Sequence, residues 1–157
     1  MEPTATSDLI FGIGWETWFS HAGMVAMAGW AVLALAPRRW PLLNAVPAVI
    51  APAILSIGYA VLILRYFWTV DGGFDSLASV AMLFQSEPLL LAGWIHYLAF
   101  DLFIGAWIAR KCDAAQISRL IQVPILFATF MFGPIGLLIY MVIRAGRDTV
   151  ATRLAAA

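Results

Sequence analysis

Polar and apolar positions fall into long hydrophobic blocks separated by short charged breaks. A bilayer crossing needs about 20 mostly apolar residues, and Trp15 to Ala36 supplies the first, stopped by Pro37-Arg38-Arg39-Trp40-Pro41. The second block runs from about Leu42 to Leu64. Pro47 and Pro52 predict a bent entry, and Arg65-Tyr66-Phe67-Trp68 forms an interfacial end. The third covers about Pro88 to Ile108 and closes on Arg110-Lys111, with Ser86 placed to cap its first turn. The fourth, about Ile121 to Ile143, is interrupted by Gly133-Pro134-Ile135-Gly136. Between blocks two and three, Asp71-Gly72-Gly73 marks a turn. Asp75 is placed to cap a short interfacial helix over Ser76 to Phe84, where Leu77, Val80 and Phe84 recur at helical spacing. The pattern predicts an all-α integral membrane protein: four transmembrane helices in a compact bundle, one membrane domain over residues 1–157.

Composition agrees. Of 157 residues, 63% are hydrophobic and 11% charged, against roughly 25% charged in soluble domains. Nine basic residues balance nine acidic ones, which argues against nucleic acid as a partner, since that needs clustered Lys and Arg. Cys112 is the single cysteine, so an internal disulfide is excluded. The first fifteen residues carry Glu2 and Asp8 but no Lys or Arg, unlike the start of a secretory signal, and the first span is expected to be retained. Four crossings place both termini on one face. Arg38, Arg39, Arg110, Lys111 and Arg119 in the first and third loops then stand against Arg65, Arg144, Arg147 and Arg153, which leans toward external termini.

The informative exception to the apolar pattern is Gly93-Trp94-Ile95-His96-Tyr97-Leu98-Ala99-Phe100-Asp101-Leu102-Phe103. A carboxylate at that depth costs about 2.5–3.5 kcal/mol on insertion scales, which makes it a functional-site candidate by default. Residues four apart on a helix are offset by about 40°. Trp94, Tyr97, Asp101 and Gly105 therefore share one stripe, and His96, Phe100, Phe103 and Trp107 another. His96 and Asp101 are about 140° apart and face different neighbours. Asp101 and the Gly-Pro-Ile-Gly break fall at a similar depth, which suggests a polar pocket. The structural alternative is a packing bond from Asp101 to Tyr97 or Ser56, and Glu16, His21 and Arg110 are secondary candidates.

No Glu-x-x-His pair, His-Glu-x-x-His or Gly-x-Ser-x-Gly occurs. His21 and His96, from different spans, leave a haem geometrically open, but two histidines with scattered carboxylates make a poor metal set. Neither a metal nor another cofactor is expected. The seven Trp and ten Phe instead suit a long apolar, polyene-like ligand. Its expected place is a groove between spans three and four, touching Trp94, Tyr97, Phe100 and Pro134.

Trp94-Ile95-His96 followed by Asp101-Leu102, the basic end at Arg110 and the later Gly133-Pro134-Ile135-Gly136 resemble the neoxanthin synthase-type family, whose plant members are named for abscisic acid deficiency. The resemblance spans nearly the whole chain. It implies a part in converting epoxycarotenoids to allenic products, a redox-neutral isomerisation that needs an acid and a base beside an apolar channel. Asp101 and His96 are the catalytic candidates on that reading. The chain lacks an Arg/Ser-rich transit peptide and its short, Ala-rich character points to a bacterial cytoplasmic membrane.

Two functions follow. One is a carotenoid isomerase or an accessory factor of that pathway. The other is a non-catalytic subunit that binds pigment, lipid or quinone, or scaffolds a membrane complex or homo-oligomer.

Overall fold

A computed structural model describes residues 9–10 and 12–155. Its regular elements are helices, apart from a short antiparallel ladder in which Leu9 pairs with Gly14 and Ile10 with Ile13. The first helix, α1 (Trp15–Leu35), buries Ala22, Ala26, Gly29, Trp30 and Leu33, a stripe at helical spacing. It stops where Pro37 holds Ala36 extended, at ψ 140°.

The second crossing is a single apolar column, Pro41–Thr69. It comprises α2 (Pro41–Ala45), a π turn (Val46–Ile50), α3 (Ala51–Tyr66) and a closing 3-10 turn (Phe67–Thr69). Pro47 and Pro52 each lack a backbone N–H and crowd the preceding turn, and the helix accommodates them by widening. The short helix α4 (Leu77–Leu83) is capped by Ser76, whose Oγ accepts from the Ser79 N–H at 3.1 Å, and not by Asp75 as expected.

The centre of the molecule is α5 (Glu87–Ala114), with 50% of its most apolar stretch buried, against 22% for α1 and 28% for the second column. Ser86 holds the N-cap position, but its side chain makes no capping bond. Its carbonyl accepts from Leu89 and Leu90 instead, at 3.1 and 2.8 Å. Lipid tails are as apolar as leucine, so close packing rather than hydrophobic exclusion holds such helices together. Small residues provide it here: a Cβ on Gly29 would overlap Leu102, and one on Gly105 would overlap the Trp30 indole.

The expected fourth span is not one crossing. Residues 121–143 are divided between α6 (Arg119–Phe132) and α7 (Pro134–Ala155). The chain reverses at Gly133, φ 46° and ψ −93°, where Pro134 cannot continue the hydrogen-bond ladder of α6. Thr129 meets Gly136, Ile125 and Tyr140 share one buried cluster, and Arg147 Nη2 donates to the Ala115 carbonyl at 3.1 Å, so the two helices form an antiparallel hairpin. At 1.5 Å per residue α6 reaches only about 21 Å, short of a hydrocarbon core about 30 Å thick. Among the described residues three helices, not four, are long and apolar enough to cross a membrane. Irregular backbone at depth is tolerated when protein surrounds it.

The hairpin also changes the distribution of charge. Arg144 and Arg147 return to the end that already holds Arg38, Arg39, Arg110, Lys111 and Arg119, leaving Arg65 at the opposite end. The near-tie expected from four crossings becomes a strong asymmetry. A polar clasp joins the segments at the basic end: Arg38 Nε lies 3.0 Å from Asp113 Oδ2, and Gln122 Nε2 donates to Asp113 Oδ1 at 2.8 Å. Burial pulls the Arg38 guanidinium below its ordinary pKa, and neighbouring Asp113 opposes that shift.

Candidate functional site

Asp101 lies midway along α5 and is 9% exposed. Its Oδ2 is buried with no hydrogen-bond partner among the described residues. The hairpin tip covers it: a Cβ placed on Gly133 would stand 2.5 Å from Asp101 Oδ1 and 2.9 Å from Oδ2. Only glycine meets both demands at this position, the space and the positive φ. Because α7 starts at Pro134, the positive end of its dipole lies beside the carboxylate.

Tyr97 shares the Asp101 stripe, as the helical wheel requires, and its hydroxyl stands against the Asp101 carboxyl as well as against the tip of α6. It donates to the carbonyls of Phe130 and Met131 at 3.4 and 3.3 Å. Those carbonyls belong to the last turn of α6, where no intrahelical donor follows. Tyr97 thus fastens α5 to the hairpin tip beside the Asp101 carboxyl.

An apolar groove passes in front of Tyr97. Its larger part, about 710 Å³, is lined by Gly23, Met27, Trp94, Tyr97, Phe130 and Met131 among others. A second part, about 300 Å³, continues past Trp30, Leu126 and Phe127 to Gln122, Arg38 and Arg119. The two parts share Met27 and Phe130. The rings of Trp94 and Tyr97, centroids 5.4 Å apart, give the larger part an aromatic wall, and Phe19 stacks on Trp94 at 5.4 Å from outside the lining. Asp101 lies outside the lining of both parts.

A family model described as ABA DEFICIENT 4-like matches residues 17–140. The chain belongs to this family. The matched interval takes in α1 from its first turn, all of α5, and the hairpin as far as Tyr140. Comparison with curated proteins and with solved structures found no match. Membership relates this ABA DEFICIENT 4-like chain to the carotenoid and abscisic acid pathway, and its three long apolar helices make it an integral membrane protein.

Within the ABA DEFICIENT 4-like fold the expected site residues separate. Trp94 and Tyr97 line the groove, which lies between α5 and α6, the first half of the expected fourth span, with α1 as a further wall. Phe100 and Pro134 are exposed and outside its lining. His96 is exposed on another face of α5, stacked on Phe100 at 4.5 Å and tilted against Tyr59 of α3 at 5.4 Å, so it does not meet Asp101. His21 lies 6.4 Å from the Trp18 ring on its own helix, and the structure does not pair it with His96. Glu16 is exposed in the first turn of α1, and Arg110 is exposed at the basic end. Among the described residues no three His, Cys, Asp or Glu side chains gather in a metal-binding group.

Sequence reasoning missed two elements of the site. One is the pair of α6 carbonyls that receive Tyr97, which only a reversal at Gly133 brings to α5. The other is Gln122, 2% exposed, whose Nε2 serves both Asp113 and the Ile117 carbonyl, at 2.8 and 2.9 Å. A glutamine three residues into an apolar segment was the available signal.

Proposed function

We propose that this protein modifies carotenoids in a bacterial cytoplasmic membrane, with its basic end toward the cytoplasm. The observation that carries the reading is the two-part apolar groove with an aromatic wall, passing the Tyr97 hydroxyl with the Asp101 carboxyl behind it. A long polyene follows such a groove. It extends about 10 Å from Leu90 to Tyr97 along α5 and about 12 Å from Phe130 to Gln122 along α6.

In the isomerase form of the proposal an epoxide C–O bond breaks as its oxygen gains a proton from Tyr97. A vinylic C–H bond breaks in turn, its electron pair completing the allene, and the proton returns to the Tyr97 oxygen, the Asp101 carboxyl behind it lending a proton to the phenolate in between and then taking it back. The step is redox-neutral and consumes no co-reactant. His96 opens on another face of α5 and takes no part in this assignment.

The position of Asp101 outside the groove lining favours a second reading, in which the groove only holds pigment. Expression in a carotenoid-producing host, gentle detergent purification and pigment extraction test both. Polyene bands in the purified protein with an altered product profile in the membrane support the isomerase. Bound pigment with an unaltered profile supports the holder, and a colourless protein with an unaltered profile removes both.

A further inference from the structure

The hairpin brings two arginines of one α7 turn beside a lysine of α5 that is distant in sequence. Lys111, near the end of α5, and Arg144 and Arg147 of α7 line one cavity of about 270 Å³, together with Ala115, Ile117 and Tyr140. Each is held in place. Arg147 Nη2 donates to the Ala115 carbonyl at 3.1 Å, Arg144 Nη1 to the Tyr140 hydroxyl at 3.3 Å, and Lys111 Nζ lies 5.9 Å from the centre of the Trp107 ring. Trp107 in turn meets Tyr140 edge-on at 5.4 Å. Among the described residues no carboxylate lines the cavity, and the Asp113 carboxylate is taken up by Arg38 and Gln122.

We propose that this cavity binds a phosphate-bearing anion. Guanidinium groups present paired donors to phosphate oxygens, and an ammonium adds a mobile point charge. The depth favours a lipid headgroup as the source. A helix the length of α5, 28 residues, extends about 42 Å, the thickness of a bilayer including its headgroup layers. Its Lys111 end therefore falls among phosphates, while exposed Leu138, Met141 and Val142 of α7 offer a surface for the acyl chains. A soluble phosphate or pyrophosphate compound shares the same chemistry.

The test uses the full chain in nanodiscs of phosphatidylcholine, with and without phosphatidylglycerol, and reads lipid retained after delipidation by native mass spectrometry. The wild type is expected to retain phosphatidylglycerol over phosphatidylcholine by about tenfold or more. The Lys111→Gln/Arg147→Gln double variant should lose that preference, whereas Arg65→Gln at the opposite end should keep it. Inorganic phosphate and pyrophosphate, added to pure phosphatidylcholine discs, are read by thermal shift. A shift in the wild type that the double variant lacks supports the site and assigns it to a soluble ligand. Equal retention of phosphatidylglycerol by wild type and double variant, with no shift from either anion, overturns the proposal. Both substituted residues are exposed, and circular dichroism and gel filtration confirm that the variant is folded.

Discussion

The Cα of Gly133 rests on the carboxylate of Asp101, so the one backbone reversal inside the apolar region and the one buried acid of α5 form a single contact. Either residue without the other is costly: the reversal needs an enclosing polar surface, and the acid needs shelter from lipid.

Gly133→Ala is expected to be among the most damaging single-methyl changes in the chain. It adds a Cβ against Asp101 and forces a side chain into a left-handed conformation with an unusual ψ, a strain of about 1–3 kcal/mol before the clash is counted. Thermal unfolding in detergent should show a clear drop, while Gly146→Ala, with nothing near its Cβ, should be neutral. Equal melting of the two variants would contradict the tight tip.

Asp101→Asn separates chemistry from packing. It preserves size and removes the ionisable group, so the isomerase reading expects normal accumulation with product formation lost. The holder reading expects unchanged pigment binding by Asn. Asp101→Leu should lower accumulation on either reading, because two bulkier methyls replace the carboxylate oxygens packed against Gly133.

Groove occupation is tested by filling it. Met27→Trp and Gly23→Trp place an indole in the lining of the larger cavity and should sharply reduce co-purifying pigment. Phe100→Ala, outside the lining, should leave pigment unchanged. A reversed result would move the ligand to the His96 face.

The hairpin makes a topological prediction that differs from four crossings. On a Cys112→Ser background, Lys111→Cys and Gly146→Cys should react with a membrane-impermeant thiol reagent from one side, and Glu16→Cys from the other. Four crossings would instead place Gly146→Cys with Glu16→Cys.

Much of this was legible in the sequence because the bilayer imposes simple rules. Trp15, Pro41 and Glu87 begin helices within a residue or so of where the apolar blocks begin, and the wheel that separated His96 from Asp101 describes the observed faces. The reversal at Gly133 was not legible. Gly-Pro-Ile-Gly within an apolar block is compatible with a kink or a turn, and the choice depends on whether α5 offers a seat, which is a tertiary matter. The share of α1 in the groove was not legible for the same reason: once α7 folds back beside Trp107, α6 turns its Phe130 face toward Trp30 of α1. The near-tie in the charge count is a direct consequence, since a segment that returns to its own side carries Arg144 and Arg147 with it.

A hairpin that enters and leaves by the same side imposes an order on biogenesis. Its two limbs have no reason to be threaded across the membrane, and its tip has no stable place until α5 is already upright with Tyr97 and Asp101 in position. Insertion of the long helices therefore comes first and docking of the hairpin second. Between those events the acid of α5 has neither Gly133 nor the start of α7 beside it.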